Sequence, residues 1–301
     1  MNKSSAPARP RVSKILLFVL SALAAQLCMA APEFARQRHL SPDGIRVVSA
    51  NIRFPVREVP GEEWEKRKEL ARDVLLAQDA DLICFQEFRS EHLAFLKTYF
   101  PDHEASGYVD GPDNRKSNTI FFSKKRFQKI EEGGFWLSDK PDSYRSKFPE
   151  SGSVRHVATL TLKDTRTGKK LLVWNTHLDH AHQPGRDRQA AVLASFIKKI
   201  PDAPPLILTG DFNCGVGTEA IRHIKESGMT DSYESVHGPK EPGYTYHGFL
   251  GEKYGKQRAK IDFVFCNKLL KPAAAAVIRD SRDGHYPSDH YFVSAELSYS
   301  E

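Results

Sequence analysis

Polar side chains capable of catalysis recur at one kind of position, the end of an apolar, strand-like run. Asp211 and Asn213 follow "PLILTG", and His177 follows "LLVWNT". The other candidates occupy comparable positions: Asn51 after "RVVSA", Glu87 after "LICFQ", Asp179 after His177, Asp262 before "FVFC", and Asp289 with His290 before "YFVSAE". Strand ends on one edge of a sheet converge in space, so we expect these residues to form one polar cluster.

The residue types in this cluster select a chemistry. Carboxylates and amides without thiolates suit a hard cation such as Mg²⁺ or Mn²⁺. Beside such a cation, a His–carboxylate pair can hydrolyse a phosphate ester, because the cation offsets developing charge while the imidazole takes a proton from water. Each residue alone has a simpler interpretation: an Asp or Asn after a strand forms turns or caps, Glu87 can cap the next helix, and His177 can be a core histidine. Repetition at six strand ends favours the cluster.

The elements that carry these residues alternate along the chain, without a long linker or an internal repeat. Amphipathic periodicity predicts helices over 63–78, 91–100 and 186–200. Strands are predicted over 45–52, 81–88, 118–123, 127–138, 154–164, 169–179, 205–213, 260–266 and 291–298. The turn signal "TRTG" predicts a hairpin, and the polar stretch 231–260 is expected to be a functional loop region. Two packed sheets with helices outside would bury every apolar face.

The N-terminal segment 1–31 has the pattern of an export signal. Lys3, Arg9, Arg11 and Lys14 precede the apolar run "ILLFVLSALAAQL", and small residues follow at Ala30 and Ala31. An uncleaved anchor is the alternative, and bulky Leu27 disfavours a lipoprotein site at Cys28. The sequence therefore predicts a periplasmic or secreted protein, with no integral membrane domain once the signal is removed and with no protein partner implied.

Removing that segment also removes most of the positive charge. The whole chain carries +6, but residues 32–301 hold 40 basic and 38 acidic residues, a net charge of +2. Net charge therefore gives little support to nucleic-acid binding. The run "KKR" at Lys124 to Arg126 is interpreted as a solvated strand end. Cys84 and Cys266 lie in apolar runs and are expected to be buried thiols; with Cys214, the odd count excludes a complete disulfide framework.

Taken in order, the motifs "LICFQE", "WNTHLDH", "LTGDFN", "KIDFVF" and "PSDHYFV" resemble the endonuclease/exonuclease/phosphatase superfamily. "FWLS" and "TYHGF" resemble an exported bacterial branch of it. The resemblance implies the fold of pancreatic deoxyribonuclease, an α+β four-layer αββα sandwich of two packed mixed β-sheets flanked by helices. It implies one such domain over residues 32–301, acting as a phosphoric ester hydrolase with Mg²⁺ or Mn²⁺.

The matching motifs also imply residue roles. Glu87 becomes the principal metal ligand, supported by Asn51 and Asp289. His290 becomes the general base that activates water, and Asp262 orients its imidazole.

The remaining roles concern the water and the phosphate. Asp211 is expected to hold the attacking water, and Asn213 a phosphate oxygen. His177 is expected to bind phosphate or assist the leaving oxygen. The weaker substrate-binding candidates are Asp179, Arg155 and His247; an exposed strand charge is the alternative for Arg155.

The substrate stays open among several phosphate esters, with nucleic acid the first expectation. A nuclease would use basic residues in the loops, for which the candidates are Arg115, Lys116, Arg145 and Lys147. A lipid head-group or sugar phosphodiesterase, or a phosphatase, is the alternative. For a lipid substrate, the short segment "GFLGEKYG" is the candidate membrane contact. Many bacterial relatives carry an acidic residue before the "IFF" strand, where this chain has "NRKSN", so a second metal contact from that strand is not expected. A non-catalytic binding module is disfavoured because the central motif residues are intact.

Overall fold

The computed structural model describes residues 1, 34–56, 58–200, 204–240, 243–256 and 259–300. Apart from Met1, the predicted signal segment lies outside the described residues, so the signal and the exported destination stay predictions. Among the described residues, no helix is long and apolar enough to cross a membrane.

Twelve strands and five α-helices make up the described part of the chain. The strands are β1 Ile45–Asn51, β2 Leu82–Gln86, β3 His103–Ser106, β4 Ile120–Ser123, β5 Phe127–Trp136, β6 His156–Asp164, β7 Lys170–His177, β8 Leu206–Asp211, β9 Met229–Asp231, β10 Asp262–Asn267, β11 Leu270–Ile278 and β12 Phe292–Tyr299. The helices are α1 Trp64–Ala77, α2 Ser90–Leu96, α3 Gln183–Lys198, α4 Glu219–Glu226 and α5 Ser232–His237.

The strands form two six-stranded mixed sheets, in the orders β11-β12-β1-β2-β4-β3 and β5-β6-β7-β8-β10-β9. Each sheet has one central parallel pair, β1 with β2 and β7 with β8. A helix joins the two strands of each pair, α1 in the first sheet and α3 in the second. Both pairs thus have the β-α-β connection that parallel neighbours require.

Alternation along the strands fills three apolar layers. In β1, Val47 faces the layer between the sheets, where it joins Leu82, Val173 and Ile207. Its neighbour Val48 faces the opposite way, into the cluster under α1 and α2. On the second sheet, a matching outer cluster lies under α3 and α4. These layers confirm the predicted α+β sandwich.

The structure adds elements that the sequence patterns did not predict. Strands β3, β9 and β11 and helices α4 and α5 were not predicted, and α5 lies inside the stretch 231–260 that was expected to be loop. The "TRTG" hairpin is confirmed, since β6 and β7 pair antiparallel. Cys84, Cys214 and Cys266 are free, buried thiols.

The interpretation of "KKR" as a solvated strand end is wrong for Arg126. Its side chain is fully buried, and its guanidinium lies 3.0 Å from both Asp81 Oδ2 and Asp164 Oδ2. An arginine between two carboxylates has the charge-assisted bonds that burial demands. Arg126 therefore joins the two sheets at the end of β4, on the segment where the chain crosses between them.

Candidate active site

The two parallel strand pairs deliver polar side chains to one edge of the sandwich. Asn51 ends β1 and Glu87 directly follows β2, while His177 ends β7 and Asp211 ends β8. β10 runs antiparallel to β8 and begins at Asp262, which pairs with Asp211 in the ladder. The carboxyl ends of parallel strands meet at the same edge, and ligands bind at such edges in open sheets.

The glycine of "GDFN" lets β8 lie close to β7 at this edge. A Cβ at Gly210 would stand 2.4 Å from Thr176 O, a separation no side chain tolerates. The close approach brings Asp211 Oδ2 to 3.4 Å from His177 Nε2. Gly210 therefore contributes to catalysis only through the spacing of its neighbours.

Asp262, His290 and Asp211 form a buried chain of titratable groups. His290 Nδ1 bonds Asp262 Oδ2 at 2.9 Å, and His290 Nε2 lies 3.8 Å from Asp211 Oδ2. Burial opposes protonation of His290, but the charges of Asp262 and Asp211 outweigh it and raise its pKa to about 10. Burial, reinforced by the charge of Asp262, raises the pKa of Asp211 to about 7. Such shifts are typical of functional carboxylate–histidine groups.

Asp211 is the centre of the hydrogen bonds at this edge. Its Oδ2 accepts from Asn51 Nδ2 at 2.9 Å, and its Oδ1 accepts from the backbone N–H of Asn213 at 2.8 Å. Asn51 belongs to the other sheet, so this contact joins the sheets at the site.

His177 and Asn213 form a second pair beside Asp211. Asn213 Nδ2 contacts His177 Nε2 at 2.9 Å and donates to Leu178 O at 3.0 Å. Burial, with the positive charge of Arg155, lowers the pKa of His177 well below its usual value. A neutral imidazole at this position accepts the amide hydrogen bond and is a poor proton donor to a leaving group.

Glu87 lies on the opposite side of Asn51. Its Oε1 is 3.5 Å from Asn51 Nδ2, and its Oε2 accepts from the backbone N–H of Phe54 at 3.0 Å. Arg53 lies between Glu87 and Asp289, 3.8 Å from each carboxylate. This set of carboxylate and amide oxygens has the chemistry that a hard cation prefers. Glu87 with Asn51 and Asp289 therefore fits a divalent ion.

A second grouping has metal-ligand spacing. Ligand atoms of Asp211, Asp262 and His290 lie within 4.8 Å of one another. Asp262 Oδ2 and His290 Nδ1 bond each other at 2.9 Å, whereas Asp262 Oδ1 has no hydrogen-bond partner among the described residues and His290 Nε2 faces Asp211. The residues around Glu87 and this second grouping are therefore the two candidate cation sites.

Several residues at this edge have a left-handed backbone. Glu87 has φ 60°, Asn213 has φ 53° and Arg53 has φ 58°. A non-glycine residue in this region is held there against its preference, at a cost that recurs at functional sites. Each of these three residues follows directly or within two positions after the end of a strand, so the left-handed conformation changes the chain direction where the site begins.

These residues open into a cavity of about 810 Å³. Arg155, His177, Asn213, Asp289 and His290 all line it. Arg155 therefore lies at the cavity, where a substrate-binding residue is expected to lie. The other interpretation of Arg155 was an exposed charge on a strand. The farther wall consists of Trp136 at the end of β5 and of the β3–β4 and β5–β6 loops, which contribute Asp110, Arg115, Ser117, Arg145, Lys147, Gly152 and Ser153.

Two expected substrate-binding residues do not line the cavity. Asp179 is fully buried and accepts from the backbone N–H groups of Ser153 at 2.7 Å and Ala181 at 2.8 Å. Burial opposes its ionisation, but these donors lower its pKa. Asp179 therefore fixes the loop 151–154 beside the site. It supports the cavity wall from behind.

His247 is also fully buried, under the rings of Tyr286 and Tyr291. Burial lowers its pKa to about 3, and its Nδ1 accepts from the backbone N–H of Gly251 at 3.2 Å. Its backbone N–H donates to Asp289 O at 2.9 Å. His247 is therefore placed to hold the loop before His290 and has no access to a substrate.

Arg67 is a site residue that the motifs did not indicate. From its position on α1, its buried guanidinium donates to Ile52 O, Arg53 O and Pro287 O at 2.7 to 2.9 Å. It thereby ties the turn after β1 to the turn before Asp289. The one available signal was a basic residue on the apolar face of a predicted helix.

The geometry agrees with sequence comparison. The model of the "Endonuclease/Exonuclease/phosphatase family" matches residues 48–290. The chain belongs to this family. Its members are phosphoric ester hydrolases, and the family generally uses a divalent metal.

The proteins similar to this chain have different names within the family. The chain is 25% identical to nocturnin of Rattus norvegicus over 269 residues, which cover 79% of this chain and 60% of that protein. An endonuclease/exonuclease/phosphatase family protein of Bacteroides thetaiotaomicron has 25% identity and a TM-score of 0.76, over 87% of this chain and all of that one. The mannosyl-6-phosphatase Bt3783 of the same organism has 26% identity and a TM-score of 0.74, over 85% and 100%. The chain thus spans about three fifths of the nocturnin but the whole of both bacterial structures.

Proposed function

We propose that this protein hydrolyses a phosphate ester with a divalent cation, Mg²⁺ or Mn²⁺, held by Glu87, Asn51 and Asp289. The observation that carries the proposal is the 2.9 Å bond between Asp262 and His290, with Asp211 Oδ2 3.8 Å from the other imidazole nitrogen. This chain of groups faces a cavity whose volume suits a small substrate. When bound, the cation offsets the negative charge that develops on the phosphoryl oxygens.

The protein side of the reaction follows from the contacts. A water beside Asp211 Oδ2 attacks phosphorus and gives its proton to that carboxylate, while the bond from phosphorus to the leaving oxygen breaks. His290, the expected general base, has a pKa raised to about 10 and is already protonated, so its Nε2–H donates a hydrogen bond instead of taking the proton. Asp262 holds Nδ1 of His290 and stabilises the imidazolium.

Arg155, which lines the cavity, is placed to donate hydrogen bonds to phosphate oxygens. Asn213 also lines the cavity, but both N–H groups of its side-chain amide already bond His177 and Leu178, so it positions His177 instead of holding a phosphate oxygen as expected. The leaving oxygen takes its proton from solvent, because His177 is held neutral.

The cavity favours a compact phosphate ester over a long polymer as the substrate. Similarity to a mannosyl-6-phosphatase, by its name an enzyme of phosphate monoesters, supports this choice. Nucleic acid is the second candidate, since Arg115, Arg145 and Lys147 line the cavity as a nuclease would need. Lys116 is the fourth basic residue that was expected to contact a nucleic acid. Its Nζ lies 3.7 Å from Glu132 Oε1, so it is paired with a carboxylate. For a lipid substrate the support is slight, because Phe249 of the candidate membrane segment is buried and Leu250 is its exposed large apolar side chain.

A panel of substrates tests the proposal. Purified protein is assayed on sugar phosphates, nucleoside monophosphates, single- and double-stranded DNA, RNA and sphingomyelin, with Mg²⁺ or Mn²⁺ and then with EDTA. Asp211→Asn and His290→Ala should each lower kcat by about 10²- to 10⁴-fold while circular dichroism stays unchanged. Exposed Asp139→Asn and His285→Ala are the matched controls. Full activity in either site variant, or hydrolysis that EDTA does not affect, would contradict the proposal.

A further inference from the structure

The cavity extends well beyond the residues that hydrolysis requires. Its far wall carries four cations, Arg89, Arg115, Arg145 and Lys147, which we call the basic subsite. Arg89 follows β2, Arg115 lies in the β3–β4 loop, and Arg145 and Lys147 lie in the β5–β6 loop. Three separate segments therefore bring positive charge to one wall.

Asp110 holds two of these segments together. This carboxylate is 7% exposed, accepts from Ser117 Oγ, and lies 3.3 Å from Arg115 Nε. Its backbone oxygen accepts from Arg145 NH1 at 2.6 Å, across 35 residues of sequence. The basic subsite is therefore organised by a buried partner, which ordinary solvated surface charges lack.

The positive charge of this wall exceeds the negative charge available to it. Among the described residues, Arg89, Arg145 and Lys147 have no carboxylate within 4.0 Å, and Asp110 is the carboxylate paired with Arg115. An anion bound among these cations would relieve their repulsion.

Two further features distinguish this wall from an ordinary solvated loop surface. Arg145 has φ 57°, the same left-handed conformation that Glu87 and Asn213 adopt on the other side of the cavity. A bulky residue keeps this conformation only where its surroundings enforce it. Trp136, which lines the cavity, has a buried indole N–H with no hydrogen-bond partner in the described part of the chain. Such donors normally have partners, but this nitrogen is shielded from solvent and supplies no contact to a bound molecule in this conformation.

We propose that the basic subsite holds a second phosphate group of a small substrate, while the first phosphate is hydrolysed at Asp211 and His290. The inference rests on the proposed function and narrows it to compact bisphosphates. A monophosphate fills one end of the cavity and leaves the basic subsite without a partner. A nucleic-acid strand would need cations spread along an open groove, whereas these converge on a single cavity.

Paired substrates test the inference. Release of phosphate from fructose 1,6-bisphosphate and fructose 6-phosphate, and from adenosine 3′,5′-bisphosphate and adenosine 5′-monophosphate, is measured with Mg²⁺. We expect kcat/KM to be about tenfold or more higher for at least one bisphosphate than for its monophosphate. In Arg115→Gln/Arg145→Gln, the bisphosphate value should fall at least about tenfold further than the monophosphate value. Arg222→Gln, an exposed arginine of α4, is the matched control and should change neither.

Binding separates this inference from the proposed function. Titration calorimetry measures the affinity of the same bisphosphates for the wild-type protein and for the double variant. One outcome is that the wild-type protein hydrolyses no substrate in the panel and yet binds a bisphosphate more tightly than the double variant does. In that case the proposed function fails, whereas the basic subsite stands. Equal affinity in both proteins overturns the subsite, whatever the activity. Tighter binding of a single-stranded oligonucleotide, lost in the double variant, overturns it in favour of nucleic acid.

Discussion

Gln86 of one sheet donates from Nε2 to Asn175 Oδ1 of the other at 2.7 Å, directly beneath the active site. Asn175 Nδ2 in turn donates to Phe85 O at 2.7 Å, and Thr209 Oγ1 bonds Asn175 Oδ1 at 3.1 Å. Gln86 precedes Glu87, while Asn175 and Thr209 stand two residues before His177 and Asp211. This buried amide pair therefore fixes the distance between the metal side and the catalytic side of the site.

Removing one member of the pair should cost stability and alignment together. Asn175→Leu removes the 2.7 Å bond of Gln86 Nε2, which keeps only its 3.2 Å contacts to Ser49 Oγ and Cys84 O, and it removes the amide donor to Phe85 O. We therefore expect the free energy of unfolding to fall by about 1–3 kcal/mol. Activity should fall as well, because Glu87 and Asp211 lose their fixed separation. Urea unfolding and steady-state kinetics measure both effects.

A double-mutant cycle distinguishes this contact from general packing. Gln86→Leu/Asn175→Leu should cost less than the sum of the two single changes, by about 0.5–3 kcal/mol, because the double variant leaves no orphaned amide between the sheets. Exposed Gln128→Leu on β5 is the control. Strict additivity would show that the two amides act independently.

The sequence predicted the centre of this protein better than its edges. The candidate catalytic residues were found because each adjoins a long apolar run, and those runs became the buried strands β1, β2, β7, β8, β10 and β12. Strand β11, "LKPAAAAVI", escaped because alanine and proline are poor strand formers. It forms at the sheet edge, where pairing with β12 alone is enough and Pro272 is tolerated.

The residues that the sequence could not reveal act through distant contacts. Arg67 bonds a carbonyl 220 residues away, and Asp110 meets a loop 35 residues further on. No local periodicity records such pairs, since they exist only after both sheets have packed. His247 differs from its expected role in the opposite way. Its motif lies near His290 in the fold, as a substrate-binding residue should, but its side chain packs among tyrosine rings.

Loss of the Glu87 carboxylate should remove metal binding more than it disturbs the fold. Wild-type protein should melt at a higher temperature as Mg²⁺ or Mn²⁺ is added, because a ligand that binds the native state stabilises it. Glu87→Gln keeps the side-chain shape and should need about tenfold or more metal for the same shift, since one charged ligand is lost. Differential scanning fluorimetry across a metal titration measures this.

The control for that titration is Glu131→Gln, an exposed carboxylate on β5. Its melting temperature should respond to metal as wild-type protein does. An unaltered response in Glu87→Gln would move the cation away from Glu87, and the grouping of Asp211, Asp262 and His290 would become the first alternative.

His156, buried in the cavity wall behind Asp110, should make the protein sensitive to acid. Burial lowers the pKa of His156 to about 4, so the unfolded chain takes up a proton near pH 6.5 while the folded protein does not. Stability is then present above pH 6.5 and is lost as the pH falls from about 6.5 towards 4, by up to about 2 kcal/mol at pH 5. His156→Gln should reduce this loss by that amount, measured by urea unfolding at pH 7 and pH 5. Exposed His285→Gln should leave the loss unchanged, and an equal loss in His156→Gln would mean that His156 is protonated in the folded protein.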